Sequence, residues 1–411
     1  GRRVRVGLCC KDPGRFVACF LSLVTRELDL FLWNPGWGEN ERGEAFEACS
    51  LDWLIEDASV SRLGGDEGRI EAKGLRLMIP TGGTGGRVTF AIHDWETLSA
   101  AVDGLKDRFE GELLSAHCVL PLYHVSGFMQ LVRGVFTGGC VVLGKVESFV
   151  ENHACLMRSQ VGNCFLSLVP TQLERILEDE SVLLLLREYR AIFIGGGPCS
   201  ERLLDRAAKL GLPLAFSYGM TETGAQVVTL MPNEFLAGNR SAGRCLSHAS
   251  VEVRDSESGK MLGVGEVGRV QVRASSLFRG YWGSEPFADE YYETSDFGVL
   301  DEGGYLSVLG RVDRVIISGG EKIDLGLVEA AIEETGLVSE VVAFGVADPE
   351  WGEVLAVAFV PWRSNCEASE IETALRGELA TYRIPKIWRR LEELPRNEAG
   401  KVLRKRLLDF V

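Results

Sequence analysis

The 411-residue sequence has few basic residues for its acidic content, with 44 Lys and Arg against 59 Asp and Glu and a net charge of −15. A protein that binds nucleic acid non-specifically needs a basic face to displace counterions, so this charge argues against that class. A small anionic ligand is not excluded, because a few local cations and helix N-termini suffice to bind one.

The eleven cysteines include no C-x-x-C pair, which argues against a zinc ribbon or a thioredoxin-type site. Several lie in apolar runs, as is typical of reduced, buried thiols in a cytosolic protein. The apolar run at 6–10 is too short for the core of a signal peptide. Residues 113–132 carry no charged side chain, but their proline, glycine and histidines favour a buried strand and loop over a membrane span. We therefore expect a cytoplasmic protein.

The composition, 46% apolar and 25% charged, is that of a soluble globular protein, and the length predicts two or three domains. Apolar runs at 191–194 and 213–216 flank an amphipathic stretch at 198–210, which predicts an α/β sheet with parallel strands. Short alternating runs between about 240 and 310 predict a small antiparallel β region. The last hundred residues predict a separate unit, with helices at 325–335 and 369–379 and strands at 341–346 and 355–361.

A glycine-rich loop, Thr81–Arg87, follows an apolar run. Its four glycines and two threonines would expose consecutive backbone N–H groups and hydroxyls that wrap phosphate oxygens. The alternative is a plain flexible turn. The loop is not a Walker P-loop, and a near match at 139–145 has Val146 where that motif needs a hydroxyl.

The segment 216–224 presents several hydroxyls and one carboxylate, that of Glu222, after a predicted strand that turns at Gly219. A single carboxylate, together with water and phosphate, suits Mg²⁺. A helix cap at Thr221 or Thr223 is the alternative.

Two further positions suit a nucleotide and its chemistry. Asp296, in a predicted turn, would accept hydrogen bonds from ribose hydroxyls, with Arg311 beside it, and a β-hairpin salt bridge is the alternative. Lys401 follows a glycine in a turn and would bring one positive charge to a developing anion, unless it is a solvated surface lysine.

Taken together, four motifs resemble the adenylate-forming acyl-CoA synthetase superfamily over about four fifths of the chain, from Thr81 to the C-terminus. They are Tyr-Gly-Met-Thr-Glu-Thr at 218–223, Thr-Ser-Asp-Phe-Gly at 294–298, the Gly-Arg-Val-Asp-Arg run that begins at 310, and Pro-Arg-Asn-Glu-Ala-Gly-Lys at 395–401. The resemblance implies an α/β fold with two domains. Residues 1–312 would form a large N-terminal adenylation domain of α/β sheets plus a small β region, and 313–411 a small mobile α+β domain.

Within the superfamily, the segments 121–127 and 219–229 resemble most the o-succinylbenzoate–CoA ligases of menaquinone and phylloquinone biosynthesis. The resemblance implies that ATP, with Mg²⁺, and an aromatic dicarboxylic acid give an acyl-adenylate, and that CoA then gives a thioester and AMP. Two alternatives stay open: a ligase for another aryl or acyl acid, and a stand-alone adenylation protein that loads a carrier protein. The oligomeric state is not readable, and a homo-oligomer is not excluded.

The resemblance also implies roles for individual residues. ATP or AMP would be bound by Thr81, Gly82, Gly83, Thr84, Gly85, Gly86, Arg87, Gly196, Gly197, Pro198, Ser217, Tyr218, Gly219, Met220, Thr221, Asp296 and Arg311. Lys401, Glu222 and Thr221 would be catalytic, with Glu222 holding Mg²⁺. The acid would be bound by His124, Ser126, Arg133, Gly195, Gly219 and Thr223. The small domain would rotate about Asp313 and bring Ser318, Gly319 and Gly320 to the pantetheine of CoA.

The choice of acid depends on Arg133. A dicarboxylate needs a second cation for the carboxylate that does not react, and Arg133 is the only cation between Arg108 and Lys145. We expect Arg133, assisted by His124 or Ser126, to bind it, and an arginine on a helix surface is the alternative. The loop departs from the superfamily pattern in having Arg87 near the usual lysine, and a planar guanidinium does not replace an ammonium group in every respect. Lys322 is a further candidate cation.

Overall fold

The computed structural model describes residues 3–64, 74–81, 88–111, 113–145, 149, 164–197, 199–311, 314–318, 321–376, 378–396 and 402–410. Contacts divide the chain into two compact units, one of residues 1–198, 205–294 and 299–307 and the other of 199–204, 295–298 and 308–411. The predicted domain boundary at 312/313 lies outside the described ranges and stays a prediction. Across those ranges, no helix combines the length and apolar character that crossing a bilayer requires.

The first sheet has the strand order β4-β3-β1-β2-β5-β6. Its strands and the two helices that alternate with them are β1 (Val4–Cys9), α1 (Pro13–Leu23), β2 (Leu28–Leu32), α2 (Glu39–Cys49), β3 (Trp53–Glu56), β4 (Val60–Arg62), β5 (Arg76–Thr81) and β6 (Thr89–His93). The inner strands pair in parallel and the two edge strands pair antiparallel. All five residues of β2 are buried, as is typical of a parallel strand covered on both faces.

The second sheet has the strand order β13-β12-β11-β10-β9-β7-β8. Its elements are α3 (Trp95–Arg108), β7 (Ser115–Cys118), α4 (Val125–Thr137), β8 (Val141–Leu143), β9 (Cys164–Leu168), α5 (Pro170–Ile176), α6 (Glu180–Leu186), β10 (Ala191–Ile194), α7 (Glu201–Lys209), β11 (Leu214–Met220), β12 (Ala225–Thr229), α8 (Pro232–Leu236) and β13 (Arg244–Cys245). The predicted strand–helix–strand unit is confirmed as β10, α7 and β11, whose two strands pair in parallel.

The expectation of a strand and loop at 113–132 is wrong for its second half, which is the helix α4. Eight consecutive residues of this helix, 127–134, are buried. This buried stretch has no polar stripe, and the exposed Val135 and Phe136 that follow it are apolar too, so the 3.6-residue period is not visible in the sequence. The ring of Phe128, in this helix, packs edge-to-face on the ring of Phe20 in α1, with 5.1 Å between the ring centroids. Both rings lie in the main apolar core of this unit.

A third sheet has the order β14-β15-β16-β17, with strands β14 (Ala249–Arg254), β15 (Gly268–Ala274), β16 (Tyr292–Leu300) and β17 (Leu306–Arg311). The β14–β15 pair is antiparallel, as the alternating runs predicted. On β15 the apolar side chains point inward, and Val270 and Val272 pack with Leu306 in a small apolar cluster.

The second unit has its own sheet, in which β19, β18, β21 and β20 are neighbours and β22 also pairs with β21. Its elements are β18 (Val315–Ser318), β19 (Glu321–Asp324), α9 (Leu325–Glu334), β20 (Val338–Asp348), β21 (Gly352–Pro361), α10 (Ala368–Leu375), β22 (Ile387–Arg390) and α11 (Arg404–Leu407). The helix predicted to reach residue 379 ends at Leu375, because Arg376 has an extended backbone. Both predicted strands are present and longer than expected.

Candidate active site

Strand β11 passes directly into the segment that the sequence analysis singled out. The predicted turn at Gly219 is wrong: β11 continues to Met220 and a 3₁₀ turn over Thr221–Thr223 connects it to the antiparallel β12. The register is irregular between Tyr218 and Gly219. A Cβ at Gly219 would lie 2.0 Å from the carbonyl oxygen of Ala225, so only glycine lets the two strands approach this closely.

The Thr223 side chain holds this turn together, and its predicted contact with substrate stays a prediction. Its hydroxyl accepts a hydrogen bond from the Met220 N–H over 2.9 Å and donates one to the Ala225 carbonyl over 2.6 Å. The side chain is fully buried. The hydroxyl therefore uses its hydrogen and one of its lone pairs for the backbone of the turn.

His93, at the end of β6, fixes the turn from its other side. Its Nε2 lies 2.8 Å from the carbonyl oxygen of Thr221, and its Nδ1 lies 3.0 Å from Oγ1 of Thr97. A carbonyl only accepts, so the hydrogen is assigned to Nε2. Burial lowers the pKa of His93 to about 4, which keeps the ring neutral. His93 and Thr221 are 128 residues apart, and nothing in the sequence connects them.

Glu222 is almost buried, and its carboxylate oxygen Oε1 accepts a hydrogen bond from the Tyr281 hydroxyl over 2.7 Å. Burial and the Glu222 charge both raise the pKa of Tyr281, so the phenol keeps its proton. The backbone N–H of Phe278 donates to the Glu222 carbonyl over 2.8 Å. Side chain and backbone of Glu222 are therefore both held by residues 278–281.

The donor set at Glu222 fits magnesium better than a transition metal. The described parts of the chain contain no cluster of three or more His, Cys, Asp or Glu side chains that would enclose a metal ion, and no lysine or arginine there forms an ion pair with Glu222. One carboxylate oxygen without a described hydrogen bond, completed by phosphates and water, is the ligand set that Mg²⁺ prefers. Glu222 is the residue that would hold it.

Two of the predicted nucleotide segments, 195–197 and 217–220, follow or end the neighbouring strands β10 and β11. Ile194 pairs with Phe216 in parallel register, and the Ser217 hydroxyl donates to the Ile194 carbonyl over 3.3 Å. Ligands of open α/β sheets bind at such strand ends. Gly195 is half-buried, and Gly196 and Gly197 are exposed beside this edge, whereas Pro198 lies outside the described residues. Thr81 ends β5, and the remainder of the glycine-rich loop, Gly82–Arg87, also lies outside them.

Asp296 and Arg311 are brought together on the neighbouring strands β16 and β17, an arrangement that fits both the predicted ribose site and its alternative, a β-hairpin salt bridge. Nη1 of Arg311 lies 3.6 Å from Oδ1 of Asp296, whose side chain is buried while that of Arg311 is more exposed. The predicted turn at Asp296 is wrong, because the residue lies inside strand β16. A strand holds the carboxylate more rigidly than a turn, and the roles of both residues stay predictions.

Helix α4 carries the three residues predicted to bind the second carboxylate, but it separates them. His124 precedes the first turn, Ser126 is exposed in that turn, and Arg133 lies two turns further. Seven residues of helix place Arg133 roughly 10 Å from Ser126 along the axis. An arginine side chain can span much of that distance, so the predicted assistance by His124 or Ser126 stays a prediction.

Arg133 is buried rather than on the helix surface, and its Nη2 donates to Oε1 of Gln226 on β12 over 2.5 Å. Burial lowers the pKa of Arg133 to about 10, so the guanidinium is still charged at neutral pH. No described carboxylate forms an ion pair with it, and Nε of Arg133 and Nε2 of Gln226 have no described hydrogen-bond partner. A cavity of about 10 Å³ beside Arg133 and Gln130 has room for one water.

Ser318 is buried at the end of β18, where it pairs with Glu321 and Gly352. The other residues predicted for the small domain, Asp313, Gly319, Gly320 and Lys401, lie outside the described residues. The side chain of Lys322 is not described either. The hinge, the pantetheine contact and the catalytic lysine therefore stay predictions.

Comparison with known proteins places this geometry in a family. A model of the AMP-binding enzyme family matches residues 47–282, and a model of the AMP-binding enzyme C-terminal domain matches residues 327–401. A 2-succinylbenzoate–CoA ligase of Oceanobacillus iheyensis is 32% identical over 87% of this chain and 74% of the relative. Across eight curated relatives with that name, the chain spans 65% to 84% of the relative's length.

Two solved structures are similar over nearly the whole chain. The o-succinylbenzoate CoA synthetase of Bacillus subtilis in complex with its acyl-adenylate intermediate has a TM-score of 0.83, 26% identity and coverage of 98% of this chain and 88% of that one. The same enzyme with ATP and a magnesium ion has a TM-score of 0.80 at 25% identity, covering 98% and 89%.

The fold and the two matching family models define an AMP-binding α/β enzyme with a large N-terminal domain and a smaller C-terminal one. The predicted fold class is thereby confirmed. The chain belongs to the AMP-binding enzyme family. The superfamily resemblance read from the four motifs is confirmed as well.

Proposed function

We propose that this chain is an ATP-dependent acid–thiol ligase, which adenylates o-succinylbenzoate and transfers the acyl group to CoA. Membership of the AMP-binding enzyme family supports the adenylation chemistry. The names of the similar curated relatives support the acid and the thiol. The product would be o-succinylbenzoyl-CoA, for menaquinone or phylloquinone biosynthesis, and the site of action would be the cytoplasm.

The observation that carries the choice of acid is the buried Arg133. Burying a cation without an anionic partner is costly, and such a charge is kept where a ligand supplies the missing partner. The unpaired hydrogen-bond donors on Arg133 and Gln226 call for an acceptor. The benzoate carboxylate of a succinylbenzoate would bring a negative charge toward this guanidinium, with the one water for which the cavity has room between them, whereas a monocarboxylic acid would bring no second charge.

The reaction needs adenylation because a carboxylate is a poor electrophile with no good leaving group. A succinyl carboxylate oxygen attacks the α-phosphorus of ATP, the bond from that phosphorus to the bridging oxygen breaks, and pyrophosphate leaves. The CoA sulfur then attacks the acyl carbon of the adenylate, and AMP leaves with the electron pair of the broken C–O bond. The thiol proton is lost to solvent, and the product is a thioester.

The proposed roles follow the residues described above. Thr81 and the loop Gly82–Arg87 would bind the pyrophosphate end, and Asp296 and Arg311 the ribose. A magnesium ion bound at Glu222 supplies neutralisation of phosphate charge. Lys401 would contact both the carboxylate and the α-phosphate in the first step. Rotation about Asp313 would then withdraw Lys401 and bring Ser318, Gly319 and Gly320 to the pantetheine.

The test is a coupled assay with ATP, Mg²⁺, CoA and o-succinylbenzoate that follows AMP and thioester, with benzoate and fatty acids alongside. We expect rapid thioester formation with o-succinylbenzoate alone. Formation of a thioester from another acid would support the ligase chemistry but would contradict the assignment of o-succinylbenzoate as the substrate. Pyrophosphate exchange without any thioester would instead point to a protein that loads a carrier.

A further inference from the structure

Tyr281 is the only described side chain that forms a hydrogen bond with the carboxylate of Glu222. Its hydroxyl donates to Oε1 over 2.7 Å. The hydroxyl of Tyr292, on β16, lies 3.1 Å from that of Tyr281. Because Tyr281 uses its one hydrogen for Glu222, Tyr292 is the donor in the second bond, and the two hydroxyls form a chain that ends on the carboxylate.

Backbone bonds to β6 hold Tyr281 in place. Ala91 and Tyr281 form an antiparallel bridge, and the Trp282 N–H donates to the Phe90 carbonyl over 2.8 Å. The Tyr281 ring packs edge-to-face on Phe278, with 4.8 Å between centroids. This segment is thus attached to the strand whose last residue, His93, holds the Thr221 carbonyl on the opposite side of the turn.

We propose that Tyr281 is a positioning residue for the metal ligand Glu222, with Tyr292 supporting it. The inference rests on the proposed function only in taking Glu222 as the ligand of the magnesium that accompanies ATP. By binding Oε1, the Tyr281 hydroxyl fixes the rotation of the carboxylate and leaves Oε2 to face the ion. Without the hydroxyl, the Glu222 carboxylate can rotate freely, and binding of the nucleotide with its metal must then also pay the entropy of fixing that rotation.

The decisive measurement is binding rather than turnover. Calorimetric titration with ATP, in Mg²⁺ and again in EDTA, gives the factor by which the metal strengthens ATP binding. We expect Tyr281→Phe to reduce that factor about tenfold while ATP binding in EDTA is unchanged, because one hydrogen bond to a charged group is lost. Tyr292→Phe should give a smaller reduction. Glu222→Gln should abolish the strengthening of ATP binding by Mg²⁺. Adding Tyr281→Phe to that variant should then cause no further change in ATP affinity.

Tyr291→Phe is the matched control. Its hydroxyl donates to Oε1 of Glu252 over 2.6 Å, the same kind of bond at a different carboxylate, and its removal should leave the factor unchanged. Thermal unfolding checks that each variant is folded. A Tyr281→Phe protein with the wild-type factor would overturn the proposal, and so would one that loses ATP affinity equally with and without metal.

A kinetic measurement separates positioning from a general structural defect. The Mg²⁺ concentration for half-maximal pyrophosphate exchange should rise about tenfold in Tyr281→Phe, whereas conversion of supplied acyl-adenylate and CoA to thioester should be unchanged, since that half-reaction uses no ATP. If the wild type binds ATP with Mg²⁺ but forms no thioester, the proposed function fails while the calorimetry still decides the role of Tyr281.

Discussion

Arg133 donates a hydrogen bond over 2.5 Å to Gln226, a residue that follows Glu222 by four positions. The strand β12 therefore connects the buried cation on α4 to the turn that would hold magnesium. All three residues lie in the larger unit. If Arg133 binds the acid as proposed, the contact would couple the acid to the turn that carries Glu222.

Replacing Arg133 by methionine should impair use of the dicarboxylate selectively. Loss of a buried charge partner costs about 2–5 kcal/mol, so we expect kcat/KM for o-succinylbenzoate to fall at least thirtyfold. The KM for ATP should be unchanged. Because a buried cation is exchanged for an apolar side chain of similar length, the free energy of unfolding should be unchanged or higher.

Arg376→Met is the control for that variant, since Arg376 is exposed and only pairs with Glu372 on α10. It should keep wild-type kinetics. Unaltered use of o-succinylbenzoate by the Arg133 variant would remove this residue from substrate recognition.

A methyl group at Gly219 should disturb the β11–β12 turn. The Cβ of a Gly219→Ala variant would lie 2.0 Å from the Ala225 carbonyl oxygen, so the strands must separate. We expect a loss of about 1–3 kcal/mol in the free energy of unfolding, together with weaker ATP binding. Gly43→Ala is the control: it lies in α2, where the new Cβ meets no atom within 4 Å apart from its own helix backbone, and alanine there should be neutral or stabilising. Equal stability of the two variants in urea would contradict the described geometry.

His93 should make the protein less stable in mild acid. Its pKa is about 4 in the folded protein, against 6.5 for the unperturbed side chain, so the unfolded chain binds the extra proton first. The contribution of His93 is therefore complete above pH 6.5, falls by about 1.4 kcal/mol per pH unit as the pH drops, and levels off below pH 4. Urea unfolding at a series of pH values measures it.

The difference between the wild type and His93→Gln isolates this residue from the carboxylates that titrate in the same range. The variant should show a shallower loss of stability between pH 6.5 and 4. Titration of the ring by NMR gives an independent value, and a pKa for His93 above 6 would refute its burial as a neutral ring.

Asp296→Asn should weaken binding of the ribose. A carboxylate that accepts hydroxyl hydrogen bonds contributes about 1.5–3 kcal/mol per bond, so KM for ATP should rise about tenfold or more. The preference for ATP over 2′-deoxy-ATP or 3′-deoxy-ATP should shrink by a similar factor. Asp205→Asn, which affects only an ion pair with Arg240 at the surface, is the control. An unchanged preference between ATP and both deoxy analogues would exclude the ribose contact.

The strands and the positions of the motifs could be predicted from local patterns of residues in the sequence. The strand at 191–194 was predicted residue for residue, because a fully buried strand between turn signals is an unbroken apolar run. The four motifs identified the family because the order of phosphate, carboxylate and cation residues along the chain is itself specific. Helix α4 was missed because its buried residues, 127–134, form no polar face and its exposed Val135 and Phe136 are apolar as well, so nothing in the pattern marks a helix.

What the sequence by itself determined is thus the fold class and the family, because each strand and each motif is a pattern of residues close together in the chain. Only the tertiary structure decided which groups surround the Glu222 carboxylate. His93, Gln226 and Tyr281 come from three different strands or connections, and their hydrogen bonds to the turn or to Arg133 arise from strand pairing. Thr223 was assigned to substrate by its position in a motif, and only packing decided that its hydroxyl bonds to the backbone of the turn, because a fully buried hydroxyl must find its partners inside the protein.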